Sequence, residues 1–467
     1  MRRIVCAWAL AVSVMLLISA VLMPSPALAQ SGNVLDETPA APQPVTNPIK
    51  GLNKDPEPAF QAAIADSVLK RTRKEYNPIG LEVGGITGDI TDLGRGQLLE
   101  SFLLFPKVDF ELEFNDNVFA EERGKVADFI GSVKPQLELV SDWDNHKFFI
   151  KAKGEFRKHL FEGAEDSFTY GLSTGGTVQV TEFETVGITL SFDRKTQARG
   201  EPDAGQFGVE PTVFRDFKAQ VDWKYQRDKF LWNPKLAITY SDFDDVEDGQ
   251  GGVIDKDEND RLKGELSLRL GYEAWKGTTV FVEPSIGFVR HDQTLANNGF
   301  KRDFQTAALA AGITYDLTAV SYLEAGLGMR FSRFDDASRD NLFRVEPSLD
   351  LVWNPHDSWT FKAGYSRSIE STNDVNAVAL TRDELTAGAE LEIMYNLLAS
   401  NTTSWRRDDS IGGNNTDHTI SNTAEIKWLM NEYSQMRGFW EFSTLRSDTA
   451  TKEFNRNRLG VVLTVHY

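Results

Sequence analysis

The histidines and their acidic neighbours are the residues of this sequence best suited to catalysis. The chain has six histidines, and none stands in a nucleophile or metal motif such as G-x-S-x-G or H-E-x-x-H. His291 precedes Asp292, and Asp417 precedes His418, but adjacent residues on a strand face opposite ways. We therefore predict no catalytic residue and no cofactor, and we expect that the protein is not an enzyme.

The acidic stretch 242–260 comes nearest to a metal site. Asp255, Asp257 and Asn259 have the spacing of the first three ligands of an EF-hand loop. Asp260 then occupies the position that requires glycine, and Leu266 stands where the bidentate glutamate belongs. A solvated loop explains the stretch better. We predict no metal site and keep Asp255, Asp257 and Asn259 as the nearest candidates.

Residues 1–29 have the pattern of a secretory signal peptide. Arg2 and Arg3 form a positive n-region, residues 4–23 form an apolar run, and small residues precede the expected cleavage site. An uncleaved anchor is the alternative. A mean hydropathy of −0.35 excludes a bundle of membrane helices. The single cysteine, Cys6, would leave with the signal, which excludes disulfides and thiolate sites from the mature chain.

Residues 30–98 form a predicted periplasmic leader. Prolines punctuate this polar sequence, which has no hydrophobic period. Residues 59–71 have the apolar spacing of a short amphipathic helix. We interpret the segment as a partly ordered leader, with a docking helix for a periplasmic partner as the alternative. The net charge of −19 argues against nucleic acid as a partner.

Apolar and charged residues alternate throughout residues 99–467. Phe110, for example, lies between Asp109 and Glu111. This is the period of a β-strand with one apolar and one charged face. The pattern predicts an all-β domain of about 18 strands, and the weakly patterned stretch 397–407 leaves about 16 as the alternative count. A soluble sandwich would alternate as well, so alternation alone does not decide the architecture.

The predicted connections between strands alternate in length. Short turns, such as the one near residues 142–146, are followed by long polar connections. The long connections include 193–213, 242–261, 369–382 and 406–417. Short turns on one side and long loops on the other are typical of a transmembrane antiparallel up-and-down barrel. An even strand count predicts that the N- and C-termini lie together on the periplasmic side of the outer membrane of a Gram-negative bacterium.

Aromatic and apolar residues also indicate a membrane setting. Amphipathic rings suit the headgroup level, and seven of the ten tryptophans flank predicted short turns. They are Trp143, Trp223, Trp232, Trp275, Trp353, Trp359 and Trp428. The last strand alternates up to a terminal aromatic and resembles the signal that the outer-membrane barrel-assembly machinery recognises. Its residues are Val461, Leu463, Val465 and Tyr467.

A membrane-spanning sheet must close on itself, because unpaired backbone groups are costly in lipid. The apolar face then contacts outer-membrane lipid, and the charged face lines a lumen wide enough to hold water. The predicted lumen-lining residues are Asp109, Glu111, Glu113, Lys147, Lys151, Lys153, Arg157, Asp222 and Lys224. Singly, each is explained by solvation; together they make the pore hydrophilic.

Five different short motifs lie between residues 75 and 159. They are Tyr76-Asn77-Pro78-Ile79-Gly80-Leu81, Ser101-Phe102-Leu103-Leu104-Phe105-Pro106, Asn115-Asp116-Asn117-Val118-Phe119, Asp128-Phe129-Ile130 and Ser141-Asp142-Trp143. Apart from an extra stretch at 84–100, their order and spacing resemble a family of β-barrel porins found alongside exopolysaccharide-export genes. The resemblance implies a role in polysaccharide secretion. The implied partners are the polysaccharide polymer and a periplasmic or outer-membrane export protein.

Three functions remain open from the sequence. The leading hypothesis is a barrel channel that takes part in secretion of exopolysaccharide or capsular polysaccharide across the outer membrane. The second is a general diffusion or uptake porin for small solutes, constricted by a long loop such as 193–213 or 242–261. The third is a closed barrel that anchors a partner or the envelope.

Overall fold

The structure, a computed structural model, describes residues 97–99, 101–143, 145–201, 208–248, 250–294, 301–318, 320–356, 358–374 and 376–467. The predicted signal peptide, the predicted helix at 59–71 and nearly all of the predicted leader lie outside the described residues. Among the residues that are described, no helix is long and apolar enough to cross a membrane.

Eighteen long antiparallel strands form the domain. They are β1 (Phe102–Asn115), β2 (Asp128–Ser141), β3 (His146–His159), β4 (Ser167–Thr181), β5 (Glu184–Thr196), β6 (Val213–Arg227), β7 (Phe230–Phe243), β8 (Arg261–Trp275), β9 (Thr278–His291), β10 (Phe304–Asp316), β11 (Tyr322–Phe334), β12 (Leu342–His356), β13 (Trp359–Ser371), β14 (Ala379–Met394), β15 (Leu397–Ile411), β16 (Thr416–Asn431), β17 (Ser434–Ser447) and β18 (Phe454–His466). Short 3-10 turns occur at Gly163–Glu165, Asp257–Asn259 and Ala450–Lys452.

The sheet closes on itself because β18 pairs with β1 as well as with β17. In the closing register, Glu113 lies opposite Gly460 and Val108 opposite Val465. Every other long strand pairs with its neighbours in sequence. The domain is therefore a closed up-and-down barrel, which confirms the predicted fold class and the higher of the two strand counts. A short strand, Gln97–Leu99, folds back onto β1.

The two faces of each strand have opposite chemistry. On β1, Leu112 is 73% exposed and Phe110 is 47% exposed, whereas Glu111 and Glu113 are only 5% and 2% exposed. The charged side chains crowd one another inside the barrel, and the apolar side chains stand free on its outside. This inversion of an ordinary soluble core is what a membrane-spanning barrel requires, because lipid covers its outer face.

The barrel has a short-turn end and a long-loop end. Tight turns, such as residues 276–277 between β8 and β9, lie at the short-turn end. Gly277 has a φ of +74° there, a conformation that glycine adopts without strain. Long loops, such as 197–212 and 244–260, lie at the other end.

Two of the predicted long connections are shorter in the structure. β14 begins at Ala379, inside the predicted connection 369–382, and β15 runs to Ile411, inside the predicted connection 406–417. The strands continue as polar hairpins, tied by pairs such as Arg367 Nε to Asp383 Oδ1 at 2.6 Å. Most residues at these strand ends are polar, so the sequence pattern there resembles a loop.

The weakly patterned stretch 397–407 is part of a complete strand, β15. Its outward face carries Ala399, Asn401 and Thr403 where other strands carry large apolar residues. Asn401 Nδ2 donates a hydrogen bond to Asn422 Oδ1 of β16 at 3.2 Å, so these polar groups satisfy each other. The alternative count of 16 strands arose from this small and polar face.

Candidate functional site

The predicted lumen-lining residues lie on the inward faces of β1, β3 and β6, where alternation places them opposite the exposed apolar residues. On β1, Glu111 accepts a hydrogen bond from Lys134 of β2 at 2.9 Å, and Asp109 accepts one from Thr464 of β18 at 2.6 Å. Most of these charges are therefore tied to a neighbouring strand.

The lysines of β3 include two that form ion pairs and one that is exposed. Lys151 Nζ lies 3.4 Å from Glu138 of β2, and Lys153 Nζ lies 2.9 Å from Asp193 of β5. Lys147, at the short-turn end of the strand, is exposed. The same inward face thus carries fixed ion pairs along its length and an open cation at its end.

Glu113 is the most enclosed carboxylate of the lumen. Arg157 Nη2 of β3 lies 3.0 Å from its Oε1, and Arg458 Nη2 of β18 lies 2.6 Å from its Oε2. Arg458 also contacts Glu441 of β17 at 3.2 Å. Arg458 could not be predicted as a lumen residue, because the apolar pattern of β18 becomes clear only from Leu459 onward. We call this region the paired wall: Glu111, Glu113, Glu138 and Glu441 with Lys134, Lys151, Arg157 and Arg458.

Inward aromatic rings fill the wall beside glycines. Phe439 of β17 lies opposite Gly460 of β18, and Phe149 of β3 lies opposite Gly175 of β4. A Cβ on either glycine would overlap the neighbouring ring. Phe439 is 8% exposed and Phe149 is 5% exposed, so their rings are part of the wall and not free surfaces in the lumen.

The lumen side of β6 carries the remaining predicted residues, Asp222 and Lys224. Asp222 is 6% exposed and lies against Gly187 of β5, where an added Cβ would come within 2.7 Å of its carboxylate oxygens. A glycine on β5 therefore makes room for the carboxylate. Lys224 has the same inward parity as Asp222 on β6.

Arg269 forms an ion-pair network that the sequence did not reveal. Its Nε donates to Glu283 of β9 at 2.6 Å, and its Nη2 donates to Glu324 of β11 at 3.0 Å. The guanidinium carbon also lies 4.1 Å from the centre of the Phe281 ring. Glu283 and Phe281 lie on β9 and Glu324 lies on β11, so no local sequence pattern brings all three to Arg269.

Three loops meet at the long-loop end through arginine contacts. Arg302, in the loop before β10, donates to Thr372 O at 2.9 Å and to Asn259 Oδ1 at 3.2 Å, and also contacts Glu258 O. Arg261, at the start of β8, donates to Asn373 Oδ1. Residues 372–373 belong to the loop between β13 and β14, five strands from β8. The contacts therefore reach across the mouth of the barrel.

The same β13–β14 loop places apolar residues inside the wall. Val378 is fully buried and forms one cluster with Val289 of β9, Phe304 of β10 and Phe334 of β11. Those three side chains lie on the inward faces of their strands. Because Val378 packs against inward faces several strands away, the loop folds into the mouth and narrows it.

A second junction covers the opposite part of the mouth. Arg199, in the loop between β5 and β6, contacts Glu165 of the β3–β4 loop at 2.6 Å. Its carbonyl accepts a hydrogen bond from Arg456 Nη1 of β18 at 3.2 Å, and its guanidinium lies 5.9 Å from the Phe119 ring. The predicted constricting loops, 193–213 and 242–261, thus contribute to separate junctions.

The candidate metal ligands are only partly brought together. Carboxylate oxygens of Asp245, Asp255 and Asp257 lie within 4.8 Å of one another, and all three residues are exposed. Desolvation and the neighbouring carboxylates raise the pKa of Asp257. Asn259 is buried, and its side-chain oxygen accepts hydrogen bonds from Arg302. The two aspartates of the EF-hand spacing thus lie together, whereas the side-chain oxygen of Asn259 is bound by a guanidinium.

The two histidines considered for catalysis have other partners than their sequence neighbours. His291 Nδ1 lies 3.3 Å from Asp303 Oδ1, across the loop between β9 and β10. Its neighbour Asp292 instead accepts a hydrogen bond from Tyr240 at 3.2 Å. His418 stacks with Trp405 of β15. The described residues show no nucleophile within hydrogen-bond distance of either ring.

The seven tryptophans lie in the short turns or near the strand ends that border them. Trp275 is 70% exposed, and Trp223 packs against Trp232 with ring centres 4.7 Å apart. On β18, Val461, Val465 and Tyr467 are exposed with Leu463 on the same face. The predicted interface aromatics and closing-strand residues thus share the outer surface. Recognition by the assembly machinery stays a prediction.

Among solved structures, the chain is similar to outer-membrane proteins of Pseudomonas species. The outer membrane protein OpdK from Pseudomonas aeruginosa is 11% identical, with a TM-score of 0.41 over 78% of this chain and 99% of OpdK. A BenF-like porin from Pseudomonas fluorescens Pf-5 is 12% identical, with a TM-score of 0.44 over 79% of this chain and 100% of that porin. No curated protein sequence matches the chain.

A family model described as putative beta-barrel porin 2 matches residues 95–467. The matched residues include all eighteen strands and the loops that join them. Since the match covers most of the chain, the protein belongs to this family and is an outer-membrane β-barrel porin.

Proposed function

We propose that the protein is a water-filled channel through which small hydrophilic solutes diffuse across the outer membrane. The observation that carries this proposal is the β13–β14 loop, whose Val378 packs inside the wall against β9, β10 and β11. A loop held in the mouth limits solutes by size, while the charged wall below it keeps the lumen hydrated.

Secretion of a polysaccharide, which the sequence motifs imply, has less support. A polymer in transit needs a continuous open path, and junctions at Arg302 and Arg199 cross the mouth. Sugar rings commonly stack on aromatic side chains, but Phe149 and Phe439 lie within the wall beside glycines. We therefore favour the small-solute channel, and with it a role that requires neither the polymer nor an export protein as partner.

The lengths of the turns and loops indicate how the barrel is oriented in the membrane. We infer that the short-turn end, where β1 begins and β18 ends, faces the periplasm, because short periplasmic turns and long outer loops are the rule for such barrels. The exposed alternation Val461–Val465 would then be available to the assembly machinery from the periplasmic side.

Liposome swelling with sugars of increasing size tests the function. The refolded full-length protein should admit monosaccharides faster than trisaccharides. Arg302→Ala, which removes the contacts with residues 258, 259 and 372, should raise the upper size limit. Lys301→Ala, one residue away and exposed, is the matched control and should leave the limit unchanged. Correctly folded protein that admits no solute would contradict the proposal.

A deletion strain separates the two functions. Loss of the gene should slow uptake of small solutes and leave the amount of extracellular polysaccharide unchanged. Loss of secreted polysaccharide, restored by the wild-type gene, would overturn the small-solute proposal in favour of secretion.

A further inference from the structure

Several inward carboxylates on one side of the lumen form no ion pair with a described lysine or arginine. Arg406 of β15 lies directly opposite Glu384 of β14, but its guanidinium contacts Asp408, at 3.1 Å. Glu265 of β8, Glu370 of β13 and Glu384 of β14 have the inward parity of their strands. Within the part of the chain that the structure describes, no lysine or arginine lies within 4.0 Å of any of the three carboxylates. Glu265 and Glu384 are exposed to the lumen.

Two of these carboxylates lie near Glu346, which pairs with one of two inward arginines, Arg330 and Arg344, that lie opposite each other on β11 and β12. Glu346 of β12 accepts a hydrogen bond from Arg330 of β11 at 2.7 Å. Glu265 and Glu370 both lie near enough to Glu346 to repel it electrostatically. Because β8 and β12 are four strands apart, the carboxylates approach each other through the lumen and not along the wall. We call Glu265, Glu346, Glu370 and Glu384 the acidic sector.

The loops above this side of the barrel are acidic as well. The β7–β8 loop holds the exposed carboxylates of Asp245, Asp255 and Asp257. Burial, together with the negative charges of nearby Asp242, Asp257 and Asp292, raises the pKa of Asp260 to about 7. Above pH 7, where Asp260 is ionised, carboxylate charge is therefore present at the long-loop end as well as in the acidic sector. A solute that enters on this side meets carboxylates at both levels.

We propose that the channel prefers cations and that the acidic sector sets this preference for small hydrophilic solutes with net positive charge. In a water-filled pore with low-dielectric walls, charges of one sign focus the field and concentrate counter-ions. Carboxylates that line a pore favour cations in the same way. Hydrated, unpaired carboxylates hold a passing cation weakly, which permits conduction. This inference rests on the proposed channel function.

Reversal potentials in planar bilayers test the preference. With full-length protein in neutral lipid and a tenfold KCl gradient, the permeability ratio of K⁺ to Cl⁻ should be about threefold or more. The triple variant E265Q/E370Q/E384Q should bring the ratio toward one while keeping a measurable conductance.

The control triple variant E122Q/E182Q/E210Q removes the same charge from exposed residues outside the acidic sector, and its ratio should stay at the wild-type value. Conductance without a cation preference, or an unchanged ratio in E265Q/E370Q/E384Q, would overturn this inference and leave the channel function intact. Folded protein without any conductance would overturn the channel function itself.

Discussion

The paired wall and the acidic sector are built from the same residue types and differ in what surrounds them. In the paired wall, Glu113 has an arginine on each side and is only 2% exposed. In the acidic sector, Glu265 has no cation within 4.0 Å among the described residues and is exposed to the lumen. Both carboxylates face inward from long strands of one barrel. An inward position alone therefore does not determine whether a charged side chain contributes to stability or to the selection of solutes.

The difference separates stability from selectivity. An enclosed ion pair with matched hydrogen bonds holds neighbouring strands together. Because its two charges cancel, it contributes little to the electrostatic field that a solute in the lumen experiences. An unpaired carboxylate contributes little to folding but keeps its full field in the lumen. We therefore expect changes in the paired wall to affect the barrel, and changes in the acidic sector to affect what passes through it.

The largest effect is expected at the centre of the paired wall. Glu113→Gln removes the charge that Arg157 and Arg458 share, and should lower the free energy of unfolding by about 3 kcal/mol. Glu265→Gln, the same chemical change in the acidic sector, should alter it by less than about 0.5 kcal/mol. Urea unfolding followed by tryptophan fluorescence compares the two. Equal losses would remove the distinction between the regions.

Packing should show the same contrast with a smaller effect. Gly460→Ala places a Cβ against the Phe439 ring and 2.9 Å from Leu112 O, and should lower the free energy of unfolding by about 1–3 kcal/mol. Gly364 faces the lumen on β13, and a Cβ there meets only Leu349 O, at 3.8 Å. Gly364→Ala should be neutral within error in the same urea titration. A larger loss at Gly364 would show that the acidic sector is packed as tightly as the wall.

A third change would convert part of the acidic sector into a paired region. Ser366 of β13 is exposed and lies directly opposite Glu384 of β14. Ser366→Lys should form a cross-strand ion pair, raise the free energy of unfolding by about 0.5 kcal/mol and lower the cation preference. Ser366→Gln, similar in length and uncharged, should leave the preference near wild type. If both variants behave alike, the effect comes from size and not from charge.

The smallest expected effect on the cation preference is a pH dependence from Asp260. Its pKa is raised to about 7 in the folded protein and is near 3.8 when unfolded. Between these values the unfolded chain has lost a proton that the folded chain keeps, so this residue's contribution to stability falls as pH rises from 4 to 7. Its charge appears as pH passes 7, and the cation preference should rise by less than about twofold from pH 6 to pH 8.

Asp260→Asn tests this dependence, since the amide oxygen can still accept the hydrogen bond that Phe243 N donates at 2.7 Å. The variant should show a flatter pH profile of the reversal potential and a cation preference at pH 8 close to that of wild type at pH 6. Identical profiles in wild type and variant would assign the pH dependence to other carboxylates.

The barrel itself could be predicted because its signal is local. The side-chain period of two places Phe110 and Glu111 on opposite faces of β1 whatever the rest of the chain does. Where the outward face is polar, as at Asn401 and Thr403, apolar and polar residues no longer alternate, and the strand could not be recognised from the sequence. Closure of the sheet could be predicted because unpaired backbone N–H and C=O groups at a sheet edge are costly in the membrane interior.

The contacts at the mouth and in the lumen join residues that are far apart in the sequence, and most of them could not be predicted from it. Arg302 meets Thr372, which is 70 residues away, and Arg458 meets Glu113, which is 345 residues away. No spacing rule connects such residues. His291 finds Asp303 and not its neighbour Asp292 for the same reason. The sequence could therefore indicate which residues face the lumen, but it could not separate paired carboxylates from free ones.

The contact between Glu113 and Arg458 also bears on how the barrel is assembled. It joins the first strand to the last across the longest loop closure in the domain, where chain entropy opposes pairing most strongly. Until β18 arrives in register, Glu113 lacks one of its two arginines. An incomplete or misregistered barrel therefore retains an exposed, poorly neutralised edge, and completion is rewarded only at the final step. Only the register in which β18 pairs with β1 as observed gives Glu113 both of its arginines.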